Sequence, residues 1–229
     1  CLAERVCVPI ANLIELPSSV SDDAAIFGVD LARAIHTRHL LRSEADSFIT
    51  VIGDNLLALL SALALSKLSP SVRVLHGSSG HVRFLERWGI KHRPIDEAGR
   101  RQDQGVIVDC TGTAAGFRLA LQHVRPRGMI VVKSPLASAS FAPGAPLGTP
   151  ESAWLPAIDL TPVVANELRV VGSGDGTVGE AVQALAKSEF DLEGLIAKRY
   201  RIEQGVEAMR AAGEVEPMKV VVDFGAERA

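Results

Sequence analysis

From Ser47 onward the chain alternates short apolar runs with stretches of helical spacing, and this alternation limits the possible folds more than any other feature. The runs "FITVIG" (48–53), "SVRVLH" (71–76), "GVIVDCTG" (105–112), "GMIVVKS" (128–134), "ELRVVGS" (167–173) and "MKVVVDF" (218–224) read as strands. Between them, Leu56 to Leu68, "SGHVRFLERWG" (79–89), "AAGFRLALQHV" (114–124) and "GEAVQALAKSEF" (179–190) read as helices. In the second of these, Val82, Leu85 and Trp88 recur at three-residue steps.

Strands that are apolar on both faces and separated by helices require a parallel sheet covered on both sides. Right-handed crossovers wind such a sheet into an α/β, Rossmann-like, doubly wound domain. Two segments stand outside the pattern. In residues 1–45, "AERVCVP" and "NLIELP" read as short strands and "DDAAIFGVDLARAIHTRHLL" as one helix capped by Ser21 or Asp22. Residues 134–162, rich in Pro, Ala, Gly and Ser, read as a long loop, which is either a binding lid or a plain insertion.

Composition excludes several classes of function. With 47% apolar and 22% charged residues the chain has an ordinary globular balance, and its net charge of −3 offers nucleic acid no basic surface. No apolar run reaches the roughly 18 to 20 residues needed to span a bilayer, so no membrane partner is expected. "CLAERVCVPI" carries charges where a signal peptide has its apolar core, which leaves a cytoplasmic chain as the expectation. Cys1, Cys7 and Cys110 are too few and too scattered for a disulfide framework or a zinc CxxC pair. A start at Cys1 is read as the mark of a fragment or a processed product.

The junction "VIGDNLLALL" has the form of a dinucleotide-binding turn, a strand followed at once by a helix. Only the first of the three glycines is present, at Gly53; the second position is Asn55 and the third Ala58. Asn tolerates positive φ, so the turn can form, but its side chain competes with phosphate for space. Asp54 adds a negative charge that favours the helix N-terminus and disfavours a pyrophosphate. The backbone of Leu56 and Leu57 completes the candidate cradle. A turn kept for folding alone remains the other reading.

The second strand should close on an acid that grips the ribose, yet it ends in His76, followed by Gly77, Ser78 and Ser79. With Arg83 nearby, these residues favour a 2′-phosphate and hence NADP over NAD; an unliganded turn fits equally well.

Together these segments resemble the medium-chain dehydrogenase/reductase superfamily, of the zinc-type alcohol dehydrogenase-like group. "LAERVCVPIANLIELPSSVSDDAAIF" looks like the end of that family's catalytic domain, and "VIVDCTGTAAGFRLALQHVRPRGMIVVKS" like its strand, helix and "RPRG" passage. "IDLTPVVANELRVVGS" and "MKVVVDF" match its closing passages. The resemblance implies a partial GroES-like remnant at 1–45, a cofactor domain at 46–190 and a closing segment at 191–229. It also implies an NAD(P)-dependent oxidoreductase acting on a small alcohol, aldehyde or ketone, in a homodimer paired along the strand near Glu167 to Ser173. Along the cofactor it places Cys110, Thr111, Gly112, Lys133 and Ser134, with Gly172 and Ser173 near the nicotinamide and Lys219 near the pyrophosphate. A buried core role for Cys110 and a surface role for Lys219 remain open.

The departures matter as well. The half that carries the family's Cys and His-Glu zinc ligands is absent. Where relatives read "E-P-L-A" this chain has Val29-Asp30-Leu31-Ala32, and His36 and His39 lack a third ligand. Zinc is therefore not expected, and no catalytic residue stands out. A degenerate homologue that keeps the fold as a nucleotide-binding or oligomerisation module is the alternative.

Overall fold

A computed structural model describes residues 6–78, 80–99, 101–134, 158–214 and 218–225. The chain divides into two compact units: Arg33–Asp175, and Cys1–Ala32 together with Gly176–Ala229.

Helices α1 (Asp22–Ala25) and α2 (Gly28–Leu40) precede strand β1 (Ile49–Ile52). Then come α3 (Leu56–Ser66), β2 (Val72–His76), α4 (Val82–Arg87), β3 (Lys91–Pro94), β4 (Gln104–Asp109), α5 (Ala114–His123), β5 (Val124–Val132), α6 (Thr161–Ala165) and β6 (Arg169–Gly172). These six strands form one sheet in the order β3-β2-β1-β4-β5-β6. Every neighbouring pair is parallel, so the expected doubly wound sheet is observed. Ile49 pairs with Val72 on one side and Val106 on the other, which puts β1 in the interior. All residues of β1 and β4 are buried, as apolar runs without alternation require.

Two local features explain how the helices seat. In α3, "LLALLSALALS" combines strong helix formers with an apolar surface all round, and Leu57 through Leu65 are all buried. On α5, Phe117, Ala120 and Leu121 pack with Ile52, Ile107, Ile130 and Leu168 in one core cluster. The "RPRG" passage is drawn into β5, where the β4 register slips between Gln104 and Val106. There Arg127 takes a φ of 61° and its Nε donates to Glu167 Oε2 at 2.7 Å.

The other unit carries α7 (Val178–Ala186), β7 (Ile196–Arg201), α8 (Gly205–Glu214) and β8 (Lys219–Asp223). Strands β7 and β8 form their own parallel two-stranded sheet. "MKVVVDF" is thus a strand as expected, but it belongs to this small sheet and not to the main one.

Several expectations are corrected. The single helix over residues 22–41 is two helices, interrupted at Ile26 and Phe27, with the Ser21 hydroxyl capping the first through Ala24 N. Neither residues 6–9 nor 13–17 form a strand, and Ile10–Asn12 is a single 3₁₀ turn. Strands β3, "KHRP", and β7, "IAKRYR", are polar and carry little strand signal; β3 lies at the sheet edge, where Pro94 is tolerated. The greater part of the Pro- and Ala-rich passage, residues 135–157, lies outside the described residues, as do Ser79 and Cys1.

Candidate functional site

Strand order reverses between β1 and β4, and the crevice outside the carboxyl ends of the strands at such a point is where doubly wound sheets take ligands. The first residues beyond the strands continue the ladder. Gly53 N bonds Leu75 O, Cys110 N bonds Ile52 O, Lys133 N bonds Asp109 O, and Ser173 N bonds Val132 O, all at 2.8 to 3.0 Å. Residues 53–57, 76–78, 110–112, 133–134 and 172–173 are therefore gathered along one edge of the sheet.

Gly53 makes the bend with a φ of 132°, and a Cβ there would sit 3.3 Å from Ala58 Cβ and 3.5 Å from Cys110 Cβ. Asn55 needs no unusual backbone: its φ is −85° and ψ 168°, and it is the N-cap of α3. Its Oδ1 accepts from Ala58 N at 2.9 Å while its Nδ2 donates to Cys110 O at 2.7 Å. The expected tolerance of positive φ is thus irrelevant at this position. The side chain ties the helix start to the end of β4, leaving the Leu56 and Leu57 N–H groups as the donors that a helix N-terminus presents.

Asp54 is the obstacle. Its Oδ2 accepts from Ser78 N at 2.9 Å, which places a carboxylate between the turn and the end of β2. Gly77 is part of the same corner, its Cβ position 3.4 Å from that oxygen. His76 is buried, with Nε2 3.3 Å from His92 Nδ1. What β2 offers a ligand is therefore backbone and not the imidazole. Arg83 stacks on Phe84, its guanidinium carbon 4.8 Å from the ring centroid. Backbone shape at this edge suits a pyrophosphate, while the charge of Asp54 opposes one.

Beyond β4, Asp109 Oδ1 accepts from both Thr111 N and Thr111 Oγ1, at 2.9 and 2.7 Å. Its Oδ2 is buried without a partner among the described residues, and burial raises the Asp109 pKa above the usual carboxylate range. Gly112 turns the chain with a φ of 65°. Cys110 is fully buried beside Ser61 Oγ at 3.9 Å, and burial pushes its thiol up to about 12. A thiol so held is a core residue rather than a nucleophile. Ser134 Oγ donates weakly to Cys110 O at 3.4 Å.

The ends of β5 and β6 hold a polar cluster that sequence reasoning did not assemble. Lys133 Nζ, buried, donates to Ser173 O, Ser173 Oγ and Gly174 O at 3.3, 3.1 and 2.9 Å. The Ser173 hydroxyl also meets Thr37 Oγ1 at 3.0 Å and His36 Nδ1 at 3.2 Å. Burial, with Arg33 adding its repulsion, brings the Lys133 ammonium down to about 8. Arg33 in turn pairs with Asp175 at 3.2 Å. Neither His36 nor Thr37 could be found from sequence as a partner of Ser173, because more than 130 residues separate them.

Lys219 lies in the other unit, where its Nζ pairs with Asp30 Oδ2 at 2.7 Å. Val29 is exposed. Among the described residues no three His, Cys, Asp or Glu side chains gather as a metal site.

No protein-family model matches the sequence, and no curated protein matches it either. Solved structures do share the fold. L-idonate 5-dehydrogenase from Escherichia coli superposes with a TM-score of 0.75 at 20% identity, over 94% of this chain and 61% of that one. A Sinorhizobium meliloti protein solved with NADP, described as a zinc-binding dehydrogenase, gives 0.77 at 18% identity over 94% and 64%. An Escherichia coli alcohol dehydrogenase complexed with NADH gives 0.69 at 15% identity over 95% and 64%. The chain thus spans under two thirds of the length of these dehydrogenases, and what it shares with them at this identity is the fold.

Proposed function

We propose that this chain is the nucleotide-binding part of an NAD(P)-dependent oxidoreductase of the medium-chain alcohol dehydrogenase type, which moves hydride between a nicotinamide and a small alcohol, aldehyde or ketone. The observation that carries this reading is the Gly53 turn and α3 N-terminus standing at the strand-order reversal of a 3-2-1-4-5-6 sheet. Two dehydrogenase structures of the same fold hold NADP or NADH.

In this reading the nicotinamide supplies the hydride chemistry when bound. The Leu56 and Leu57 N–H groups receive the pyrophosphate, Thr111 and Gly112 border the dinucleotide, and the Lys133–Ser173 cluster fixes the loop after β6 beside the nicotinamide end. β2 itself closes on His76 and no acid, which favours NADP slightly over NAD, while the Asp54 carboxylate at Ser78 N works against a 2′-phosphate. Zinc is not expected, since Val29 stands at the acid position and His36 is engaged by Ser173. A homodimer joined along β6 and a cytoplasmic location complete the proposal; the free thiols of Cys7 and Cys110 accord with the latter. No described helix is long and apolar enough to cross a membrane.

One observation favours the alternative of a degenerate nucleotide-binding or oligomerisation module: the Asp54 carboxylate is bonded to Ser78 N at the ribose corner. Calorimetric titration with NADPH and NADH separates the two. Saturable binding of either at or below about 1 mM is expected, and Asp54→Asn should tighten it by removing the repulsion. Absence of binding in both the native chain and the Asn variant sinks the enzyme reading.

A further inference from the structure

The opposite edge of the main sheet presents a different charge pattern. Arg73 on β2 and Lys91 on β3 are register partners, and Arg93 lies two residues beyond Lys91 on the same face. Like charges placed across neighbouring strands repel, and nothing in the fold requires them there. Arg101 joins the group from the segment before β4.

Arg73 is the anchor. It is half-buried, and its pKa is lowered first by burial and then by the adjacent Arg93. Its Nε is buried and has no hydrogen-bond partner among the described residues. Arg73, Arg93 and Arg101 line a hollow of about 460 Å³ with Asp103 and Gly99, a size within the range of small-molecule sites. Two adjoining hollows, of about 310 and 500 Å³, each include both Arg73 and Lys91. The available acids are partly committed: Asp103 Oδ1 accepts from Gln104 Nε2, and Glu86 stands 4.0 Å from His92. Arg93 Nη1 donates to Glu97 O at 3.3 Å. In a chain of net charge −3, this local excess of cations is not a by-product of overall basicity.

We infer that Arg73, Lys91, Arg93 and Arg101 form a binding site for a diphosphorylated small anion, at the edge of the sheet opposite the Gly53 turn. Guanidinium forks match phosphate oxygens in paired hydrogen bonds, and a multiply charged anion converts the mutual repulsion of the cations into attraction. The site is independent of nicotinamide nucleotide binding, because β2 presents Arg73 near its start and Ser78 beyond its end.

Calorimetry on the whole chain tests the inference, with pyrophosphate and fructose 1,6-bisphosphate as probes in low and moderate salt. Saturable binding is expected, weakening with salt, and Arg73→Met should cut the affinity about tenfold or more, as loss of a charged hydrogen-bond pair does. Arg93→Met should act similarly, and Asp103→Asn should strengthen binding. Equal affinity for the two probes marks a free diphosphate as the ligand, and tighter binding of the sugar bisphosphate marks an organic one. Far-UV circular dichroism verifies the fold of each variant, and NADPH affinity should stay unchanged in Arg73→Met. Absence of saturable binding up to about 10 mM, beyond the weakest specific range, or equal affinities in native and folded Arg73→Met protein, identifies a solvated basic patch only and overturns the inference.

Discussion

At the scale of single residues, the site is a set of exchanged partners. Asn55 stands at the second position of the turn, and it uses its amide to join α3 to β4. Asp54 uses its carboxylate to hold Ser78. Lys133 and Cys110 are both buried, and they pull stability in opposite directions with pH. Unfolded, Lys133 keeps its proton up to about 10.5; folded, it gives it up near 8. Between those values the unfolded chain binds more protons, so stability rises with pH, by at most about 1.4 kcal/mol per pH unit from one group. Cys110 has its folded value raised from 9.0 to about 12, so its contribution is whole below 9 and is lost above it. Urea unfolding should therefore show the native chain gaining on Lys133→Met between pH 8 and 9, where Cys110 does not yet oppose it. A flat difference across that interval would mean that Lys133 is not desolvated as described.

At the scale of elements, α3 shows how little amphipathic contrast a helix needs when it is buried on every side. Leu60 is fully buried within it. Leu60→Ala should cost about 2–5 kcal/mol through lost burial and the cavity left behind, read as a lowered urea midpoint with an unchanged slope. The same apolar character made α3 legible in the sequence, as did the β-branched runs of β1, β4 and β5. Strands β3 and β7 were not legible, because their polar side chains carry no inward-outward pattern and only the neighbouring strand selects them. The break between α1 and α2 was equally hidden, since "AAIFGV" reads as continuous helix by propensity.

At the scale of the whole molecule, β6 is the end strand of the main sheet, with Val170 substantially exposed. An open edge of this kind is a template for a second copy. Sedimentation should give a dimer for the native chain and a monomer for Val170→Lys, whose edge charge resists pairing; a native monomer would remove the dimer from the proposal. The division into two units also belongs to this scale. Both the segment before β1 and the segment after β6 contribute to one unit, though they are distant in sequence.

The sequence by itself determined the alternation of β1, β2, β4, β5 and β6 with their helices, the parallel sheet they form and the position of the Gly53 turn, because period and turn chemistry are local properties. It also located most of the residues just past the carboxyl ends of the strands, which a parallel sheet gathers along one side. Tertiary structure alone decided what those side chains do. Asn55 could be known as a cap, Asp54 as the partner of Ser78, His76 as a buried ring, and Ser173 as the meeting point of Lys133, Thr37 and His36 only once strands distant in sequence lay side by side. A hydrogen bond across such a separation leaves no period in the chain, and burial, which sets the charge of Lys133, is a property of the packed molecule.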